Sequence, residues 1–173
     1  REIETLTDKY EDKLGTYLVR LSNKKLSENE SHQVARMLHS IGDFERIGDH
    51  ALNICKLAEE MNVKGINFSK DGKHEIDVIG SAVNEIINMS IESFVNDDQE
   101  MSAHIEPLEQ VVDMLKLQLK SAHVNRLRKN ECTIEMGFIL SDLLNNYERV
   151  SDHCSNIAVC FIEISNDSFE THE

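Results

Sequence analysis

The stretch Asp43-Phe44-Glu45-Arg46-Ile47-Gly48-Asp49-His50-Ala51-Leu52-Asn53-Ile54 returns 103 residues later as Asn146-Tyr147-Glu148-Arg149-Val150-Ser151-Asp152-His153-Cys154-Ser155-Asn156-Ile157. Glu, Arg, Asp, His, Asn and Ile keep the same six places in both copies, so the chain is a tandem repeat. On a helix, Glu45, Asp49 and Asn53 stand four residues apart and line one face, as do Glu148, Asp152 and Asn156. Like charges at this spacing cost about 0.2–0.5 kcal/mol per pair. A pair kept in both copies therefore asks for compensation, from Arg46 and Arg149 acting across the bundle or from a bound cation.

Working outward from the first copy, apolar residues at Val34, Met37, Leu38, Ile41, Phe44 and Ile47 place the motif in the middle of a long helix. Ser27 and Glu30 have capping-box spacing at its start, and the helix should end near Met61, before Gly65 and a Ser-Lys-Asp-Gly-Lys turn at 69–73. A preceding amphipathic helix runs from Ile3 to Leu21. It carries the acidic pair Glu4/Asp8, with Asp8/Asp12 as the competing register. Gly15 in its middle marks either close packing or a weak point.

After the turn, a third helix is expected from about His74 to Val95. A fourth follows to about Leu127, kinked or started late by Pro107 and carrying Glu109 and Asp113. The last helix should run from Asn130 to Ile164, ahead of a polar, frayed tail. Asp113 precedes Glu148 by 35 residues and Asp8 precedes Glu45 by 37, so each repeat includes the helix before its motif. Copy two thus has three helices, and copy one only the last two of its three. The expected division is a partial repeat over 1–64, a complete repeat over 74–165 and a tail over 166–173. The missing first helix is expected upstream of Arg1, which with the absent initiator Met reads as a piece of a longer protein.

Seven Gly, one Pro, no Trp and 5% aromatic residues describe an all-α protein. The net charge of −14 argues against nucleic acid or an anionic bilayer as partner and suits cations or basic protein surfaces. No apolar run is long enough to span a membrane, and no signal peptide opens the chain. Cys55, Cys132, Cys154 and Cys160 show no CxxC spacing, which points to buried thiols in a reducing cytoplasm and away from thiolate zinc.

Repeats of about 100 residues, the acidic pair on the middle helix, and Glu45-Arg46-Ile47-Gly48-Asp49-His50 with Glu148-Arg149-Val150-Ser151-Asp152-His153 resemble the PhoU family of phosphate-uptake regulators. The resemblance implies tandem three-helix bundles of long antiparallel helices and E/DxxxD motifs that hold iron or zinc clusters. The matching positions are Glu45 and Asp49, Glu148 and Asp152, Glu109 and Asp113, and Glu4 and Asp8. With His123-Val124-Asn125-Arg126-Leu127, the motif is more similar to the PhoU-like cytoplasmic domain of bacterial sodium/phosphate cotransporters than to the free-standing regulator. That implies a non-enzymatic domain tethered to the membrane through an upstream region, whose partners are the transporter portion or phosphate-signalling proteins. The alternatives are a free-standing regulator and a carboxylate-bridged metal oxidase or metal store.

An acidic i,i+4 pair is ordinarily a solvated face, and it is the repetition that lifts these above it. Their hard oxygens suit iron, manganese, magnesium or calcium, and a neighbouring His would admit zinc. His50 and His153 lie about 100° round the helix from the carboxylates, which favours structural hydrogen bonds at least as much as ligation. No His has Glu three residues before it, so the oxidase signature is missing. Two amphipathic helices without a third leave an apolar stripe, to be covered by a homodimer partner or by helix three docking across it.

Overall fold

The computed structural model describes residues 2–170, with side chains described through residue 162. Among the described residues six helices follow one another: α1 (Glu2–Ser22), α2 (Glu28–Lys64), α3 (Lys70–Asn96), the short α4 (Gln99–Ala103), α5 (Ile105–Arg128) and α6 (Ile134–Glu170). There is no strand among the described residues.

Local chemistry sets the boundaries. Glu30 N–H donates to Ser27 Oγ at 3.4 Å while Ser27 N–H donates to Glu30 Oε2 at 2.8 Å, closing the capping box that starts α2. Gly65 ends α2 at φ 64°, the left-handed position where a glycine pays no Cβ penalty. The segment read as a turn at 69–73 is instead the N-cap and first turn of α3, because Ser69 Oγ accepts from Gly72 N–H at 3.2 Å. Asp98 Oδ1 caps α4 by accepting from Met101 N–H at 2.9 Å. Pro107 falls in the first turn of α5, where its missing donor has no intrahelical acceptor to lose. The late start takes the place of a kink. The last helix begins at Ile134 and extends to Glu170, beyond the end at Ile164 that its polar residues suggest.

The core lies mainly in copy two. Ile79, Val83 and Ile86 of α3, Ile105, Val112 and Leu119 of α5, and Ile139, Leu140, Leu144, Val150 and Cys154 of α6 are buried together. Copy one contributes Leu18 and Val34 to the buried hydrophobic set and lays α2 along α6. Arg36 ties α2 to both neighbours: it forms an ion pair with Asp97 at the end of α3, and its guanidinium sits 5.2 Å from the Phe94 ring and 4.8 Å from the Phe161 ring.

Among the described residues α1 packs on α2 alone, so α3 does not dock across it. Ile3, Leu6, Tyr10, Leu14 and Tyr17 of α1 are consequently exposed. In the repeat alignment Tyr10 and Leu14 correspond to Leu115 and Leu119 of α5, which belong to the core covered by α3. None of the four cysteines forms a disulfide among the described residues, and only Cys154 is buried. Cys55 is exposed, contrary to the expectation of four buried thiols. Burial pushes the Cys154 thiol up to about 12, which keeps it protonated.

Candidate metal centre

The two motifs meet across the α2–α6 contact. His153 Nδ1 lies 2.8 Å from Asp43 Oδ1, and His50 Nδ1 lies 2.9 Å from Asn146 Oδ1. Asp43 and Asn146 are repeat counterparts, as are the two histidines, so the pairs are related by an approximate internal two-fold with α2 and α6 antiparallel. Asn146 Nδ2 donates to Asp142 O at 2.8 Å, which turns its carbonyl oxygen toward His50. Both imidazoles therefore donate from Nδ1. The rings stack with centroids 5.7 Å apart, and this pairing gives the histidines a structural role in holding the repeats together.

The carboxylate line faces the other way, toward the preceding helix. In copy one, α1 supplies Glu4 and Asp8 and α2 supplies Asp49, and one oxygen from each lies within 4.8 Å of the other two. It is the sole group of this kind among the described residues. Asp8 Oδ1 is buried without a hydrogen-bond partner, whereas Asp12, of the competing register, is exposed. Glu45 completes the seam. Burial holds its carboxyl above the ordinary range, Asp49, Glu11 and Asp8 add to the shift, and Arg46 opposes it.

Copy two brings Glu109 and Asp113 of α5 to Glu148 and Asp152 of α6. Burial pushes Glu109 up, with Asp113, Asp152, Glu106 and Glu148 adding to it. Asp152 is raised by burial and then by Glu148, with Arg149 opposing and Asp113 adding. Asp113 Oδ1 is buried and unpartnered like its counterpart Asp8. Unlike copy one, this cluster receives a base from the preceding helix: Lys116 of α5 forms an ion pair with Glu148 Oε2.

The motif arginines do not reach across the bundle as the sequence suggested. Arg46 contacts its neighbour Glu45 at 3.6 Å and Arg149 contacts Asp152 at 3.5 Å, each on its own helix and each well exposed. Their long side chains find an acid within one turn and gain nothing by being buried. Glu11 and Lys116 escaped the reading from sequence. They occupy corresponding positions three residues after Asp8 and Asp113, so comparing the two middle helices residue by residue exposes them.

The family model described as the PhoU domain matches residues 1–58 and 76–160. The phosphate-specific transport system accessory protein PhoU homolog 1 of Thermotoga maritima is 25% identical over 132 residues, covering 75% of this chain and 56% of that protein. The PhoU homolog of Pseudomonas aeruginosa, with the same accessory-protein name, is 24% identical over 159 residues, covering 91% of this chain and 65% of the relative. The chain thus spans 56% and 65% of these two relatives. The crystal structure of PhoU from Pseudomonas aeruginosa shares the fold, with a TM-score of 0.87 at 23% identity over 96% of this chain and 79% of that one. These relatives are named as accessory proteins of phosphate-specific transport rather than as cotransporter domains.

Proposed function

The chain belongs to the PhoU family, and on that premise we propose that it acts as a non-enzymatic regulator of phosphate transport, of the accessory type its relatives represent. Being named as accessory proteins, the relatives favour a separate regulator over the soluble portion of a sodium-dependent transporter. Among the described residues no helix is long and apolar enough to cross a membrane. Regulation would then proceed by contact with phosphate-transport or signalling proteins through helical faces.

The observation that carries the metal part of this reading is the convergence of Glu4, Asp8 and Asp49 around an unpartnered buried oxygen of Asp8. Carboxylates so placed repel one another unless a proton or cation intervenes. The donor set fits a metal ion: it is all oxygen, without thiolate or imidazole, and so favours iron, manganese or magnesium over zinc. Two donors come from α1 and one from α2, so a cation here would clasp α1 to α2, the one helix it packs on among the described residues. It would thereby fix the direction in which the apolar stripe of α1 is presented.

Deleting the gene in its host and measuring phosphate uptake under phosphate-replete conditions tests the regulatory role. Deregulated uptake, restored by the wild-type gene and poorly by Asp8→Asn/Asp49→Asn, is expected. Unchanged uptake on deletion contradicts it.

A further inference from the structure

The two acidic clusters are built from corresponding residues yet are neutralised differently. In copy two, Lys116 extends from α5 into the cluster and pairs with Glu148, and its side chain is only 12% exposed. A lysine that far out of water is held there by the charge it meets, since an ammonium left unpaired at such a position loses its hydration for nothing. The repeat counterpart of Lys116 is Glu11, and the counterpart of Glu148 is Glu45. Copy one therefore has a carboxylate where copy two has an ammonium. Glu11 is part-buried and close enough to contribute to the upward shift of Glu45.

The geometry agrees with the charge. The copy-one trio closes to within 4.8 Å, while its counterpart trio of Glu109, Asp113 and Asp152 does not form such a group. Lys116 relieves one of the four copy-two charges, and Asp113 Oδ1 remains unpartnered, so the relief is incomplete.

We propose that Lys116 is the internal cation of the second cluster, so that copy two carries its own counterion while copy one alone takes up a dissociable metal ion. The second half of this statement rests on the metal reading of Glu4, Asp8 and Asp49 given above. The first half rests on Lys116 itself. One repeated arrangement thus serves as a ligand-responsive site beside α1 and as a ligand-independent one inside the three-helix core.

Thermal melts of the full chain in chelator and then with manganese(II), for wild type, Lys116→Gln and Glu11→Lys, test both halves. Lys116→Gln should melt several degrees below wild type in chelator and recover with manganese, showing a larger metal-dependent shift than wild type. Glu11→Lys should melt above wild type in chelator and lose the manganese response. Recovery by metal separates a lost counterion from lost packing, because a packing defect has no reason to respond to a cation. A Lys116→Gln protein that matches wild type in chelator, or that is destabilised without manganese rescue, overturns the role of Lys116. If Lys116→Gln instead proves too unstable to purify without metal, purification in manganese supports the proposal and failure there overturns it. A wild type indifferent to manganese, alongside rescued Lys116→Gln, overturns the copy-one metal site and leaves Lys116 as the internal cation.

Discussion

Asp43 accepts a hydrogen bond from His153 across the α2–α6 contact at 2.8 Å, and its repeat counterpart Asn146 accepts the matching bond from His50 at 2.9 Å. One crossing is charge-assisted and the other is neutral, so they should differ in strength. Asp43→Ala should cost about 1–2 kcal/mol, because it leaves the part-buried His153 Nδ1–H without its acceptor. A double-mutant cycle with His153→Ala should give a coupling above about 0.5 kcal/mol. Additive effects would show that the crossing is incidental to repeat docking.

The raised carboxyls predict an inverted pH response. Burial and neighbouring acids hold Glu45, Glu109 and Asp152 above their ordinary values. Such a group binds its proton more tightly when folded, so its stabilising effect is full below the unfolded value and is lost as pH rises through the folded one. In chelator, the melting temperature should therefore fall as pH rises out of the ordinary carboxylate range, about pH 4 to 4.5, until the histidine range, where His123, its imidazole depressed by burial, acts in the opposite sense. Manganese should reduce that slope at the upper end. A melting temperature that rises steadily with pH in chelator would contradict the strain assigned to the clusters.

The same apolar position has opposite fates in the two repeats. Leu119 is buried under α3, while its counterpart Leu14 is 46% exposed on α1. Leu119→Ala should cost about 2–5 kcal/mol and leave a cavity. Leu14→Lys should leave the melting temperature within about 2 °C of wild type, on the scale of ordinary surface substitutions. With Ile3, Leu6, Tyr10 and Tyr17 also exposed, α1 presents a stripe suited to self-association. Sedimentation velocity across a concentration series should show association in wild type and less of it in Leu14→Lys. Equal association would move the contact elsewhere.

Two helical glycines make a matched pair of tests. A Cβ on Gly137 would fall 2.7 Å from His123 Nε2, and His123 is buried, so Gly137→Ala should destabilise by about 1–3 kcal/mol. The corresponding positions in copy one are Leu18 and Val34, which are also buried, so the small residue has been matched to the large ring only in copy two. Gly15 has nothing within 4 Å of its would-be Cβ, and Gly15→Ala should stabilise by about 0.5–1 kcal/mol. Chemical denaturation reads both, and the two signs should be opposite.

The repeat, the helices and the acidic lines were legible because each is written in short-range spacing. The capping box at Ser27 and the late start at Pro107 follow from local rules and were readable for the same reason. The start of α3 was not, since Ser-Lys-Asp-Gly-Lys reads equally well as a turn until Ser69 is seen to cap it. Pairing between helices is non-local. Whether Asp8 or Asp12 faces α2 depends on how α1 rolls against it, which one helix's periodicity leaves open. Recurrence does not reveal Lys116, because it matters by differing in charge from its counterpart Glu11.

Copy one is proposed to hold a metal ion through Glu4, Asp8 and Asp49. Elemental analysis of protein purified without chelator, comparing wild type, Asp49→Asn and Asp152→Asn, tests it most directly. Iron, manganese or magnesium should accompany wild type and Asp152→Asn and should be lost from Asp49→Asn. Metal that persists in Asp49→Asn, or that disappears in Asp152→Asn while Asp49→Asn retains it, would contradict the account.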